Sequence, residues 1–259
     1  MSRKLTIVAR TCGRVFAIHG SRYIQKSKPE LINICISSLV ESINNVYEHD
    51  IELYVLDDHS APECVEDIKT ILNKCKFPTQ FIPVEDGTGA SHTCYKVYEL
   101  VEQKATDLWY HVEDDYVHYP SAISDMIETI DQFEENTGNM IAINPHDDPH
   151  RYIHQIYDSI ILFGPMRHYR TVKHSTYTCM ASKAIYDTYR DWFQMSAEWI
   201  LRKGEDEHIN QVWHQPDVMM FSPIPSVALH LSDESSRDPY IDVDQLIENT
   251  PQLWKTNNE

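Results

Sequence analysis

The chain has 259 residues, 42% of them hydrophobic, so it carries enough apolar content for a packed core and is not compositionally disordered. Lys and Arg number 22 against 40 Asp and Glu, a formal net charge of −18. Such an acidic balance argues against a nucleic-acid binder, because neutralising phosphates needs clustered cations. An anionic ligand would have to be held locally, by a few arginines or through a bound metal ion. The six cysteines (Cys12, Cys35, Cys64, Cys75, Cys94 and Cys179) form no CxxC pair and sit among apolar neighbours, as small core residues do in a reducing compartment. The start, MSRKLTIVARTCGR, lacks the apolar stretch of a signal peptide, and no uncharged run is long enough to span a bilayer. The expectation is a soluble, cytoplasmic protein with no transmembrane segment.

KLTIVART, at the start, is rich in β-branched residues and precedes a Gly-containing loop, the pattern of a buried strand. SKPELINICISSLVESINNVY follows as a helix. Ser27 and Glu30 make a capping box, Pro29 suits the first turn, and Leu31, Ile34, Cys35, Leu39, Ile43 and Val46 share one face. Ile51–Leu56 is a second strand, APECVEDIKTILNKC a second helix and TQFIPVED a third strand. GTGASHTCYKVYELVEQ opens a third helix from a Gly-rich turn that has neither GxxxxGK[ST] nor GxGxxG spacing, so it is not a phosphate loop. DLWYHVEDD is a fourth strand. The alternation predicts an α/β fold: a largely parallel, Rossmann-like central sheet with helices on both faces.

Beyond Pro120 the pattern becomes mixed. SAISDMIETIDQFEEN is a helix, NMIAINP a strand, and HDDPHRYIHQIYD reads as a loop. Further strands are expected in SIILFGP, STYTCMAS, DVMMFSP and SVALHL, and helices in KAIYDTYRDWF and EDEHINQVW. The last 28 residues read as a surface tail with one short helix. With no linker composition between the halves, a single domain is expected.

Ligands of parallel sheets gather beyond the carboxyl ends of the strands. Three polar clusters fall there: Arg10 to Arg14 after the first strand, Asp57 to Ser60 after the second, and Glu113, Asp114 and Asp115 after the fourth. Each alone reads equally well as a solvated turn; three at one edge favour a site. Oxygen donors without thiolates suit Mn2+ or Mg2+. His230, which ends the apolar run of SVALHLSD, is a candidate further ligand, although a hydrogen-bonded strand-end histidine is the commoner case. Glu205, Asp206 and Glu207 stand at a helix start, where the dipole already accounts for acids; the other use of one of them is as a general base. His92 and Lys96 lie one turn apart and face either a ligand or solvent. Tyr157, Tyr169, Tyr177, Trp192, Trp199 and Trp213 read first as core and second as sugar-stacking rings.

The motifs VARTCGR, VLDDHS, VEDDY, GEDEHINQVW and VALHLSD, in that order from Leu5 to about Asp233, resemble the GT-A glycosyltransferases, closest in style to family 2. The E-D-D motif departs from D-x-D and resembles that of N-acetylglucosaminyltransferase I-type enzymes. GTGASH stands where Asn-x-Gly is common, and the absence of Q-x-x-R-W makes processive synthesis unexpected. The resemblance implies a nucleotide-sugar-binding half over about residues 1–118 and an acceptor and catalytic-base half over about 119–259. It places Arg10, Thr11, Arg14, Asp57, Asp58 and His92 in donor binding, and Glu113 and Asp114 against the ribose or sugar. It gives Asp115 and His230 to a Mn2+ or Mg2+ ion, and makes Asp206 the base, with Glu205 second. The implied reaction is a metal-dependent, inverting transfer of the hexosyltransferase type. The donor is a nucleotide-diphosphate sugar, a UDP-sugar favoured over a GDP-sugar, and the acceptor is a hydroxyl of a glycan or another molecule. Two rivals remain. One is a nucleotidyltransferase on a similar sheet, for which RTCGRVFAIHG is a poor basic loop. The other is a non-catalytic nucleotide-sugar-binding module.

Overall fold

The computed structural model describes residues 2–14, 24–153, 158–174, 177–199, 206–231, 237–238 and 240–255. The first half runs β1 (Lys4–Thr11), α1 (Lys28–Asn44), β2 (Asp50–Asp57), α2 (Pro62–Leu72), β3 (Thr79–Pro83), α3 (Ala90–Lys104) and β4 (Leu108–Glu113). The second runs β5 (Tyr116–His118), α4 (Ala122–Thr137), β6 (Met140–Ile143), α5 (His150–Ile153), β7 (Ile161–Phe163), β8 (His168–Val172) and β9 (Cys179–Ser182). It continues with α6 (Lys183–Trp199), α7 (Asp206–Trp213), β10 (Val218–Ile224), β11 (Ala228–His230) and α8 (Val243–Asn249).

One nine-stranded sheet crosses both halves in the order β3-β2-β1-β4-β9-β6-β10-β8-β7. β1 lies between β2 and β4, parallel to both, and β3 extends β2 in the same sense. β9 is antiparallel to both β4 and β6, so β6 again runs with β4, as does its parallel neighbour β10. The carboxyl ends of β1, β2, β3, β4, β6 and β10 therefore share one edge. Strand alternation sorts the core. Leu5, Ile7, Leu53, Val55, Leu108 and Tyr110 face the helices α1, α2 and α4, while Val8, Leu56 and Trp109 face α3, α6 and α7. Ser27 and Glu30 cap α1 reciprocally, as their spacing predicts.

The second half departs from the sequence pattern in four places. HDDPHRYIHQIYD contains the one-turn helix α5. His168–Val172, unremarkable in sequence, is a strand between β7 and β10. SVALHL does supply a strand, β11, but it leaves the main sheet and pairs with β5 in an antiparallel ribbon. The C-terminal run is not a surface tail: Ile241, Val243 and Leu246 are buried with Ile24, Leu31, Ile34 and Leu229.

Buried charge also ties the second half together. Asp125 of α4, fully buried, accepts from Arg167 Nε at 2.6 Å and from the Tyr169 hydroxyl at 2.8 Å. Buried histidines contribute to the pH response. His118 Nε2 meets the Tyr110 hydroxyl at 2.8 Å, and burial lowers the His118 pKa from 6.5 to about 3. Burial also pushes the His111 pKa well down, with Arg10 adding to it. The unfolded chain takes up these protons near pH 6.5 and the folded chain does so only at much lower pH, so their contribution is complete above that value and is lost as pH falls. Each such group removes about 1.4 kcal/mol of stability per pH unit within its window. Urea unfolding between about pH 6 and pH 4 should show a shallower loss of stability for His118→Gln than for the parent, by close to one proton. Equal slopes would show that His118 is not held neutral.

Candidate active site

Glu113 ends β4 at the shared carboxyl edge and Asp114 and Asp115 follow it; Glu113 and Asp114 each have a cation of their own, and Asp115 has a histidine. Glu113 is the register partner of Arg10 across β4 and β1, and Arg10 Nη2 donates to it. Arg10 Nη1 donates further to the Ala90 carbonyl at 3.0 Å and the Thr93 hydroxyl at 3.4 Å, which ties the pair to the start of α3. Asp114 accepts from Lys28 Nζ on one oxygen and from the Cys12 N–H at 2.8 Å on the other. Asp115 Oδ2 lies 3.5 Å from His230 Nε2. The backbone pairs as well, the Leu231 N–H donating to the Asp115 carbonyl at 2.8 Å. The His230 ring stacks on Tyr116 with centroids 4.7 Å apart and an 11° interplanar angle, so β5 and β11 fix the Asp115–His230 pair.

The electrostatics follow from this partition. Burial pulls the Arg10 guanidinium down, but Glu113 together with Asp114 and other neighbours more than offsets it, so Arg10 stays firmly charged. Burial raises the Glu113 pKa; Arg10 pulls it back, and Asp115 and Asp114 push it up again, leaving it above the usual carboxylate value. Burial disfavours protonation of His230, and Asp115, with Glu113 and Asp148 behind it, outweighs burial and raises its pKa.

The second cluster is built the same way. Thr11 and Asp57 are register partners of β1 and β2, and the Thr11 hydroxyl donates to Asp57 at 2.9 Å. Asp57 also accepts from the Ser60 N–H at 2.9 Å and hydroxyl at 2.5 Å, while Ser60 Oγ takes the Gly13 N–H at 2.7 Å. Asp58 accepts from Thr88 at 2.7 Å, from the Gly89 N–H at 2.8 Å and meets His59 at 2.8 Å. Burial raises its pKa, but these partners outweigh it and hold Asp58 below the ordinary value. A cleft of about 710 Å³ opens beside Asp57, walled by Val65, Phe81, Pro83 and Val84, with His59 and Lys69 at its border.

The sequence candidates thus meet at one edge with different occupations. Arg10, Thr11, Asp57 and Asp58 are engaged in holding the loops. Arg14 Nε donates to the His59 carbonyl at 3.0 Å from an exposed position. His92 faces the turn before α3, 3.1 Å from Asp86, which Lys96 also holds at 2.8 Å. These two partners lower the Asp86 pKa to about 2. Asp206 is the first residue of α7, its side chain lying outside the described set, and Glu205 lies outside the described residues altogether. Of the aromatic candidates, Tyr169, Tyr177 and Trp213 are buried in the core. Trp192 packs partly buried against it, while Tyr157 and the Trp199 side chain are outside the described set. Two groups escaped the sequence reading. Lys28 carried a signal: a cation in the first turn of a helix opposes the dipole and calls for a carboxylate partner. His146, whose ring centroid lies 6.3 Å from that of His230, carried none that separates it from an ordinary loop histidine.

No family model and no curated protein matches the chain. Among solved structures, S. aureus TarS is similar with a TM-score of 0.52 at 13% identity, over 85% of this chain and 36% of TarS. TarS residues 1–349 give 0.52 at 12% identity, over 85% of this chain and 60% of that one. The galactosyltransferase LgtC, in complex with donor and acceptor sugar analogues, matches at 0.46 and 14% identity, over 83% of this chain and 72% of its own. TarS 1–349 also has structures with UDP and with UDP-GlcNAc. The chain therefore spans less than two thirds of either TarS chain, and the likeness defines a fold: the GT-A type, an α/β sheet with helices on both faces.

The Arg10–Glu113 pair can be tested directly. Arg10→Met strands Glu113 beside two more carboxylates and should cost about 3 kcal/mol in urea unfolding, because a buried charge loses its partner. Adding Glu113→Gln should recover much of that loss, and a double-mutant cycle without coupling would refute the pairing.

Proposed function

We propose that the chain is an inverting glycosyltransferase of the hexosyltransferase type, family 2-like, with a nucleotide-diphosphate sugar as donor. The observation that supports it most is the Asp115–His230 pair at the carboxyl end of β4, flanked by two carboxylates with cations of their own, on a GT-A sheet. A UDP-sugar is favoured over a GDP-sugar, and the cleft beside Asp57 offers an apolar wall for a planar base.

Asp115 and His230, whose side chains bring a carboxylate oxygen and an imidazole nitrogen within 3.5 Å, would hold a Mn2+ or Mg2+ ion, with His230 neutral when it does so. Among the described residues no group of three His, Cys, Asp or Glu side chains makes a complete site, so the remaining positions would fall to the donor's diphosphate and water. When bound, such an ion stabilises negative charge on the leaving diphosphate. Lys28 and Arg10 keep Asp114 and Glu113 from repelling that diphosphate. The carboxylate of Asp206, at the start of α7, takes the proton of the acceptor hydroxyl. The acceptor oxygen forms its bond to the anomeric carbon as the bond from that carbon to the diphosphate oxygen breaks. The nucleoside diphosphate leaves with the electron pair, and one in-line displacement inverts the anomeric centre. General-base help of this kind accounts for roughly 10²–10⁴-fold in rate.

A thermal-shift screen of UDP- and GDP-sugars, with and without Mn2+, should give one clear stabilising donor, since a ligand bound to the native state raises its stability by mass action. With that donor, Asp206→Asn should lose transfer by about 10²-fold or more at near-normal donor affinity. Asp115→Ala should lose the Mn2+-dependent part of donor binding measured by calorimetry. Undiminished turnover in Asp206→Asn, or released pyrophosphate in place of nucleoside diphosphate, would overturn the proposal.

A further inference from the structure

Tyr152 of α5 is 55% exposed, yet it is held by some of the most buried charge in the second half. Its ring lies over the Arg170 guanidinium at 4.0 Å, and its hydroxyl donates to Asp147. Arg170 Nη2 donates to the other oxygen of Asp147 at 2.8 Å, and both side chains of this ion pair are 6% exposed. One ring face is therefore pinned by a cation and the hydroxyl by a carboxylate, which leaves a rigid second face toward solvent.

The elements beneath the ring lead directly to the acidic site. The loop that carries Asp147 follows β6 at the shared carboxyl edge. The Pro145 carbonyl accepts from the Val227 and Ala228 N–H groups at 3.0 and 3.2 Å, and the Asp147 N–H donates to the Ser226 hydroxyl at 2.8 Å. These bonds join the loop to the segment that enters β11 and ends at His230. The His146 ring stands 6.3 Å from the His230 ring. Arg151, beside Tyr152, braces the loop through the His146 carbonyl at 3.1 Å and the Ser222 hydroxyl at 2.9 Å.

We propose that the outer face of Tyr152 is the platform on which the acceptor's sugar ring lies, so that the acceptor class is a pyranose with an apolar C–H face. A fixed aromatic plane suits such a ring: it offers a large apolar surface at small entropic cost and tolerates varied hydroxyl patterns. The role assigned to this ring rests on the transferase reading, but the binding itself needs no turnover.

Saturation-transfer NMR tests it with methyl β-D-glucopyranoside, methyl β-D-galactopyranoside and methyl N-acetyl-β-D-glucosaminide, each with saturating UDP. At least one glycoside should bind the parent protein. Tyr152→Ala and Tyr152→Leu should weaken it about fivefold to tenfold, the second keeping bulk over Arg170 without a ring. Tyr152→Phe should stay within about twofold, because it keeps the ring and loses only the bond to Asp147. Tyr47→Ala, at an 84% exposed tyrosine on the opposite sheet edge, should change nothing. The platform is refuted if no glycoside binds the parent, if Tyr152→Leu binds as well as the parent, or if Tyr152→Phe loses as much as Tyr152→Leu. Glycoside binding that follows the expected pattern in a protein that transfers from no nucleotide sugar would keep the platform and remove the transferase. Transfer with Tyr152-independent binding would do the reverse.

Discussion

Three carboxylates in consecutive positions at a strand end are the constraint around which the rest of this molecule is arranged. Two unit charges 4 Å apart near a protein surface repel by about 4 kcal/mol, a large share of the 5–15 kcal/mol that keeps a domain folded. Solvating the turn would relieve this, but it would also expose the end of the central strand. The chain instead brings a partner to each acid from a different direction: the Arg10 cation from the neighbouring strand, the Lys28 cation from the first turn of α1, and the His230 imidazole from β11. The site and the fold are thus coupled, since the elements that deliver those cations are the ones that close the sheet's carboxyl edge.

Parallel register gives the coupling its accuracy. Arg10 meets Glu113 and Thr11 meets Asp57 because β1 pairs with β4 and β2 without an offset at their ends. A one-residue slip would send each side chain to the other face of the sheet, and would also break the apolar alternation that separates the two helix layers. The core therefore enforces the geometry of the polar edge. The Asp115–His230 pair lies outside this logic, on the small β5–β11 ribbon, where stacking on Tyr116 and the Leu231–Asp115 backbone bond replace sheet register.

This difference explains what the sequence disclosed. In the first half, strand and helix patterns are long and periodic, a capping box marks α1, and the acids fall at strand ends, so both the elements and the shared edge were legible. In the second half the strands expected in SIILFGP, STYTCMAS and SVALHL are present as β7, β9 and β11, but at three or four residues they are too short for the sequence to show which sheet each one joins. His168–Val172 carries Arg170 and Tyr169 inward to buried partners, which disguises a strand as a polar stretch. The C-terminal segment looked like a tail because its buried residues, Ile241, Val243 and Leu246, are sparse among acids. Candidate site residues were found by type and position. Asp115 and His230 were paired through the resemblance, but the cations of Glu113 and Asp114 were not, because Lys28 lies 86 residues from Asp114 in sequence and only the fold brings the two together.

The two halves are held rigid in different ways. The carboxyl edge of the first half is held by sheet register and by backbone N–H groups on its carboxylates. The loop after β6 has no such ladder around Tyr152. It is held by a buried guanidinium and carboxylate, Arg170 and Asp147, with Ser226 and Arg151 as braces. A buried ion pair is a poor source of stability, because desolvation offsets much of its attraction, and an apolar pair of similar volume would serve as well. What it does supply is direction. Guanidinium and carboxylate together fix the Tyr152 ring in one plane on a segment of one-turn helix and loop.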